Sequence, residues 1–202
     1  AEVIETNTFG ANRIKLAAFG LADRVAEINR AAVKLAREAA APAGAYVAAS
    51  VGPCTTEGQA YNPADANRFA EAFTEQMTVL AEAGVDLILL ETYHDLAQLQ
   101  LAARCARRTG LPVMASFAIT ESAPEERPDL PEVIAAAALS ADPNVDIIGI
   151  NCGLGPADLF IPVKHMLRHA TKPLVVMPNA GGPREVGGRM LYLNSPEYFT
   201  EF

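Results

Sequence analysis

The strongest constraint on the fold is a regular alternation between short apolar runs and segments of helical period. Six runs of β-branched and aliphatic residues recur along the 202 residues, at positions 3–4, 46–51, 85–90, 113–119, 145–150 and 174–177. The runs are apolar on both faces, which is typical of parallel strands covered by helices rather than of strands with one solvent-exposed face. The sequence therefore predicts an α/β fold built from about six βα units.

The segments between the runs have apolar stripes at helical spacing. Residues three and four positions apart share one face of a helix, so each stripe predicts the face that packs on the sheet. The predicted stripes are Leu21, Val25, Ile28, Ala32 and Leu35 in one helix, Phe69, Phe73, Met77 and Leu80 in the next, and Leu159, Val163 and Leu167 in a later one. No linker or low-complexity stretch divides the chain, which favours a single domain over residues 1–202.

Two architectures fit six βα units, an open doubly wound sheet and part of a (β/α)8 barrel, and periodicity does not separate them. A doubly wound nucleotide-binding enzyme should have a glycine fingerprint after one strand. Gly153 and Gly155 begin such a pattern, but Asp158 stands where the third glycine is needed. This alternative is disfavoured, and nucleotide retention on purification would revive it.

Charge and cysteine usage narrow the class of function. The formal net charge is −8, the pI is near 4.9 and no basic run is present, which argues against nucleic acid or an anionic membrane as a partner. Three cysteines without framework spacing fit a reducing cytoplasm better than a secreted disulfide scaffold. Small-molecule chemistry in the cytoplasm is the resulting expectation.

Polar residues at the ends of the apolar runs are the candidate site residues, because α/β barrels place their chemistry at the carboxyl ends of strands. Cys152 follows the run 145–150, where a thiol can be a nucleophile, a metal ligand or a small hydrophobe, and spacing alone favours the hydrophobe. Glu91 ends the run 85–90 and is either exposed on the rim or aimed into a site. The polar segment 5–8 is either a simple turn or part of a pocket.

Several segments, taken together and in order, resemble the homocysteine S-methyltransferase domain family. They are ETNTFGANRIKL (5–16), GPC (52–54), LILLETYHDLAQ (87–98), GINCGLGP (149–156), MPNAGGP (177–183) and LYLNSPEYF (191–199). The family includes betaine–homocysteine methyltransferase, the homocysteine domain of cobalamin-dependent methionine synthase, and bacterial proteins that join this domain to a methylenetetrahydrofolate reductase. The resemblance to the last group is strongest.

The resemblance implies a (β/α)8 TIM barrel that is incomplete in this chain. The six units would be strands 2 to 7 with their helices, and strand 1 and strand 8 with its helix would be lacking. The first run begins almost at residue 1, and a helix opened by Ser195 and Pro196 stops at Phe202. The chain is therefore expected to be a truncated part of a longer protein.

The resemblance also implies a zinc-dependent methyl transfer to the thiol of homocysteine that gives methionine. Family members hold Zn²⁺ with the cysteine of the Asn-Cys motif, which is Cys152 in this sequence, and with a Cys-Cys pair that this sequence does not contain. Zinc coordination removes the thiol proton of the substrate, which makes its sulfur a nucleophile. These 202 residues alone are expected to bind zinc weakly and to be inactive.

The substrate-binding residues implied by the resemblance lie at three strand ends. Glu91 would face the amino group of homocysteine, accompanied by Thr92, since a carboxylate is a suitable partner for an ammonium. Thr6 and Asn7 would line the pocket, and Asn151 would be a substrate contact or would support the metal ligand. Homocysteine is thus the expected small-molecule partner.

Other features leave parts of the function open. The acidic, proline-rich segment 121–131 departs from the family, so the methyl donor is not assigned, and a fused reductase or cobalamin module is a further possible partner. Cys105 is expected to be a packing residue, whereas Cys54 lies at a strand end on the same face as Cys152 but matches no ligand of the family. His165 and His169 lack metal spacing and are expected on a solvated face. A non-catalytic barrel remnant that binds a small ligand or a partner chain is the remaining alternative.

Overall fold

A computed structural model describes residues 1–56, 58–180, 184–191 and 195–201. Within this part of the chain the main sheet has six parallel strands: β1 (Val3–Glu5), β2 (Tyr46–Val51), β3 (Leu87–Tyr93), β4 (Val113–Phe117), β5 (Ile147–Asn151) and β6 (Leu174–Met177). A separate antiparallel hairpin consists of β7 (Arg184–Val186) and β8 (Arg189–Leu191).

Seven helices lie in the described part of the chain; the first six connect the strands of the main sheet, and the last follows the hairpin. They are α1 (Arg13–Ala17), α2 (Val25–Ala40), α3 (Ala66–Glu82), α4 (Leu96–Arg107), α5 (Pro131–Ala141), α6 (Pro156–His169) and α7 (Pro196–Phe199). Short 3₁₀ turns occupy Ala22–Arg24, Ala41–Ala43 and Pro63–Asp65. Among the described residues, no helix combines the length and the apolar character needed to cross a lipid bilayer.

The strand order decides between the two predicted architectures. The strands lie side by side in the order in which they occur in the chain, β1-β2-β3-β4-β5-β6, and every neighbouring pair is parallel. A doubly wound sheet reverses its strand order at a switch point, whereas a (β/α)8 barrel does not. The sheet is a curled half-barrel, so the predicted barrel architecture is confirmed and the doubly wound alternative is wrong.

The hydrophobic core lies between the convex face of the sheet and the helices. Val47 and Ala49 of β2, together with Ile88 of β3, are fully buried there against helix residues such as Phe73 and Leu80. Burying an aliphatic or aromatic side chain of this size contributes ~1.5–3 kcal/mol. Because side chains alternate along a strand, the intervening residues of each strand face the concave side, where the polar residues described below are found.

The sequence assigned the core face of α3 correctly and that of α2 only in part, since Val25 is buried as predicted. Phe69, Phe73, Met77 and Leu80 are all buried as predicted, but Leu35 is 67% exposed. The face of α2 that packs on the core instead consists of Val25, Asn29, Val33, Ala36 and Ala40.

Asn29 explains the different burial of α2. Its side-chain amide donates to the carbonyls of Ala11 at 2.9 Å and Val25 at 2.8 Å, so a polar residue is satisfied in the interior. The third predicted stripe fails at its end, because Leu167 is 57% exposed while Met166 is buried in its place.

Candidate active site at the carboxyl ends of the strands

A β-bulge near the end of β3 organises the candidate site. Leu90 pairs with Ala115 of β4, but the next pair is Tyr93 with Phe117, so β3 has one residue more than its partner in this interval. The extra length falls at Glu91 and Thr92, and Thr92 has a left-handed φ of 62°. Bulges re-aim side chains next to functional sites, and a non-glycine residue at positive φ persists only when its surroundings hold it.

Asn151, the last residue of β5, holds this bulge. Its side-chain Oδ1 accepts a hydrogen bond from the Thr92 backbone N–H at 2.9 Å, and its Nδ2 donates to Thr92 Oγ1 at 2.8 Å. The same Nδ2 is 3.5 Å from Oε2 of Glu91. Asn151 is only 4% exposed, so its amide connects β3 and β5 across the end of β4 within the protein interior.

The other oxygen of the Glu91 carboxylate is held from the opposite side by β2. The Ser50 hydroxyl donates to Oε1 of Glu91. Ser50 pairs with Leu89 in the sheet, two residues before Glu91, so the two side chains lie on the same concave face. Glu91 therefore has hydrogen-bond donors on both sides, while its own residue remains partly exposed.

Thr6 and Thr8 lie beneath this cluster, in the segment that follows β1. Both are buried, with 3% and 1% exposure, and their hydroxyl oxygens are 2.6 Å apart. Thr6 Oγ1 accepts from the Ser50 N–H at 3.1 Å, and Thr8 Oγ1 donates to the Ser50 carbonyl at 2.7 Å. The structure thus brings Thr6 into contact with Ser50; its predicted contact with substrate stays a prediction.

Glu5 and Asn7 differ in their relation to the cluster. Desolvation and then the charge of Glu91 raise the pKa of the Glu5 carboxyl above its ordinary value of 4.5. Asn7 is exposed and lines a groove of about 510 Å³ between β1 and α2, together with Ile4 and Ile28. Asn7 therefore lies at the edge of the half-barrel, and its predicted role stays a prediction.

Cys152 lies directly after Asn151, in the turn that leaves β5. Its φ is +60°, its N–H donates to the Met177 carbonyl at 3.1 Å, and its own carbonyl accepts from the Leu154 N–H at 2.8 Å. Gly153 follows with φ +72°, and a Cβ on it would lie 1.9 Å from the Ile119 carbonyl oxygen. Only glycine lets the backbone pass this close to Ile119. The loop that follows β4 therefore fixes the turn that contains Cys152.

The other two cysteines are buried, as predicted for Cys105. Cys54 is 1% exposed, and burial raises the pKa of its thiol to about 12. Cys105 is buried in α4 and its thiol donates to the Ala70 carbonyl at 3.7 Å. Burial also raises the pKa of the Cys105 thiol, so neither cysteine resembles a metal ligand or a nucleophile.

The expectation that His165 lies on a solvated face is wrong. His165 of α6 is 4% exposed, and its Nδ1 is 3.1 Å from Oε1 of Glu132 on α5, which is itself 2% exposed. The pair joins two neighbouring helices in the interior. His169 lies nearer the surface and contacts Glu126 at 2.9 Å.

The acidic segment 121–131 covers the end of β4. With His94 it lines a cavity of about 400 Å³, and His94 Nδ1 donates to the Ala118 carbonyl at 3.0 Å. Glu126 in this segment is bound by His169 and Arg168 of α6, and these contacts lower the pKa of its carboxyl. The segment is thus attached to the barrel through α6.

A sequential parallel sheet with its polar cluster at the carboxyl ends of the strands defines a domain of the (β/α)8-barrel class. A family model described as homocysteine S-methyltransferase matches residues 1–202. The chain belongs to the homocysteine S-methyltransferase family.

Individual relatives agree with this family. The chain is 34% identical over 195 residues to methionine synthase of Mycobacterium tuberculosis and 32% identical to that of Mycobacterium leprae, covering 91% of this chain and 16% of each relative. It thus spans about one sixth of the length of these relatives. The metallated form of the homocysteine methyltransferase MmuM from Escherichia coli superposes with a TM-score of 0.72 at 25% identity, over 90% of this chain and 68% of MmuM.

More distant structures show the fold alone. An old yellow enzyme homologue from Zymomonas mobilis has a TM-score of 0.51 at 13% identity over 73% of this chain. Two of the motifs from the sequence lie in part outside the described residues, since 181–183 and 192–194 are not among them.

Ser50 and Thr8 are the residues of the cluster that the sequence did not single out. A usable signal exists for Ser50, because it interrupts the apolar run 46–51 and a buried hydroxyl needs a hydrogen-bond partner. Thr8 had no such signal, since it belongs to a polar segment in which any residue could be solvated.

Proposed function

We propose that the protein to which this chain belongs is a zinc-dependent S-methyltransferase that moves a methyl group from an activated donor to the thiol of homocysteine and so forms methionine. The observation that supports it most directly is the Glu91 carboxylate, held on a bulge between Ser50 and Asn151 at the carboxyl end of the sheet. Membership of the homocysteine S-methyltransferase family supports the reaction class.

Glu91 would recognise the amino group of homocysteine. An ammonium supplies three hydrogen-bond donors and a positive charge, and a carboxylate fixed in orientation binds it by charge-assisted hydrogen bonds. Ser50 and Asn151 approach one carboxylate oxygen each, which leaves further lone pairs of the partly exposed carboxylate for a ligand. Thr92, Thr6, Asn7 and Asn151 would complete the surroundings of the substrate.

The methyl transfer forms one bond and breaks one bond. The thiol of homocysteine first loses its proton to the solvent. The sulfur lone pair then forms the new S–CH₃ bond, and the electron pair of the broken donor–CH₃ bond leaves with the donor. A free thiol has a pKa of ~8.5 and is mostly protonated at neutral pH, so the protein must favour the thiolate. A zinc ion supplies this chemistry when a thiol binds to it.

Cys152 would be one ligand of that zinc ion. Catalytic zinc sites commonly use about three protein ligands, and Cys54 and Cys105 are buried elsewhere in the structure. Among the described residues, no group of three His, Cys, Asp or Glu side chains is placed to hold a metal. The described residues therefore include one candidate ligand, Cys152, and do not by themselves complete a zinc centre.

The test is methionine formation by the natural full-length protein. Purified enzyme is supplied with homocysteine and, in turn, a sulfonium donor, the quaternary ammonium betaine and methylcobalamin, and its zinc content is measured. We expect methionine with at least one donor, and loss of both zinc and activity in Cys152→Ser. Absence of zinc together with no methionine from any donor would contradict the proposal, and homocysteine binding without turnover would favour a non-catalytic remnant.

A further inference from the structure

Ser50 lies at the centre of the polar cluster, where its hydroxyl interrupts an otherwise apolar strand. It is 2% exposed, and its hydroxyl donates to the Glu91 carboxylate on the neighbouring strand. A hydroxyl has a single hydrogen to donate, so this contact commits the Ser50 side chain to one orientation. A hydrogen bond from a hydroxyl to a carboxylate is among the stronger hydrogen bonds in proteins.

The backbone of Ser50 is fixed by a closed ring of hydrogen bonds with Thr6 and Thr8. The Ser50 carbonyl can only accept, so Thr8 uses its hydroxyl hydrogen there at 2.7 Å. The 2.6 Å contact between the two threonine hydroxyls must therefore be donated by Thr6. Thr6 Oγ1 in turn accepts from the Ser50 N–H at 3.1 Å, which closes the ring.

This ring gives every donor a defined acceptor. Ser50 N–H donates to Thr6, Thr6 to Thr8, and Thr8 to the Ser50 carbonyl, so all the dipoles run in one direction and reinforce one another. All the residues of the ring are at most 3% exposed, so water does not compete for these bonds. The ring thus anchors the strand position from which the Ser50 hydroxyl reaches Glu91.

We infer that Ser50 is a positioning residue that sets the orientation of the Glu91 carboxylate for the amino group of the substrate. This inference rests on the proposed function, because it assumes that Glu91 binds the ammonium of homocysteine. Asn151 is the weaker of the two supports, since its Nδ2 is 3.5 Å from Glu91 and is also used by Thr92. Without the Ser50 hydroxyl, the carboxylate loses its stronger fixed partner and can rotate away.

The test compares two ligands in the full-length protein by isothermal titration calorimetry. Homocysteine carries the amino group, and 4-sulfanylbutanoate is the same molecule without it. We expect Ser50→Ala to weaken homocysteine binding about tenfold, the usual effect of losing a hydrogen bond to a charged group. Binding of 4-sulfanylbutanoate should change less than about twofold, because it has no ammonium for Glu91 to bind.

Ser140→Ala is the matched control. Ser140 lies on α5, outside the polar cluster, and its Oγ accepts a hydrogen bond from the Thr171 N–H at 3.1 Å. This variant should leave the affinity for both ligands unchanged. In a Glu91→Gln background, Ser50→Ala should have little further effect on homocysteine, because the two residues act on the same interaction.

The outcomes separate the inference from the proposed function. If the wild-type protein binds no homocysteine, the proposed function fails and the inference fails with it. If the wild-type protein binds homocysteine but Ser50→Ala weakens the binding of both ligands equally, or of neither ligand, only the positioning role of Ser50 is wrong. Should Ser50→Ala fail to fold, Thr8→Val opens the ring without changing the Ser50 side chain, and it must show the same selective loss for homocysteine.

Discussion

Asn151 and Thr92 are joined by two hydrogen bonds that cross the end of an intervening strand. Oδ1 of Asn151 accepts from the Thr92 N–H at 2.9 Å, and Nδ2 donates to Thr92 Oγ1 at 2.8 Å. The pair fixes the left-handed backbone of Thr92, and the next residue after Asn151 is the similarly left-handed Cys152. Both left-handed residues of the candidate site are therefore next to the buried Asn151, Thr92 through two hydrogen bonds and Cys152 through the peptide bond.

Replacing this amide should destabilise the fold. Asn151→Ala removes the two bonds and leaves the Thr92 N–H without its partner, which costs about 1–3 kcal/mol in the free energy of unfolding. Urea denaturation followed by circular dichroism measures the change. Asn67→Ala is the control, because Asn67 lies on α3, away from the cluster, and a loss as large as that of Asn151→Ala would show that the amide contacts are not responsible.

Gly153→Ala should be destabilising for a reason specific to its position. The new Cβ would lie 1.9 Å from the Ile119 carbonyl oxygen, in addition to the ~1–2 kcal/mol that a left-handed conformation costs a residue with a side chain. Gly20 has a similar φ of +69°, and a Cβ added there would have no atom within 4 Å, so Gly20→Ala reports the conformational cost alone. Thermal unfolding should show a clearly larger loss at Gly153, and equal losses would contradict the close approach to Ile119.

Glu5 should make stability depend on pH. Its pKa is raised in the folded state, chiefly by desolvation and then by Glu91, so the folded protein binds this proton more tightly than the unfolded chain. The resulting stabilisation is present below the ordinary pKa of 4.5 and is lost as pH rises through the higher folded value. Glu5→Gln should therefore be more stable than wild type at pH 7 but not below pH 4.5.

Urea titrations of wild type and Glu5→Gln at several pH values measure this difference. The control is Glu2→Gln, an exposed change of the same chemistry at the start of the chain. A Glu5→Gln effect that is the same at every pH would mean that the charge of Glu5 is not the cause.

The sequence predicted the sheet better than the site. Alternating apolar runs are a local signal, and they located all six parallel strands, including the strand end at which Asn151 lies. The bulge at Glu91 and Thr92 had no local signal, because it depends on an asparagine about 60 residues further along the chain. The burial of His165 was not predicted for the same reason, because its hydrogen-bond partner in the interior, Glu132, lies on a different helix.

The three thiols should differ sharply in reactivity. Cys54 has a pKa raised to about 12 by burial and the pKa of Cys105 is raised as well, so both remain protonated and inaccessible in the folded protein. Cys152 is partly exposed in its turn. Iodoacetamide at pH 8 should therefore alkylate Cys152 first, as measured by peptide mass spectrometry, whereas in urea all three cysteines should react at similar rates. Protection of Cys152 by added zinc would support its role as a ligand, and rapid alkylation of Cys54 in the folded chain would contradict the burial on which this order of reactivity depends.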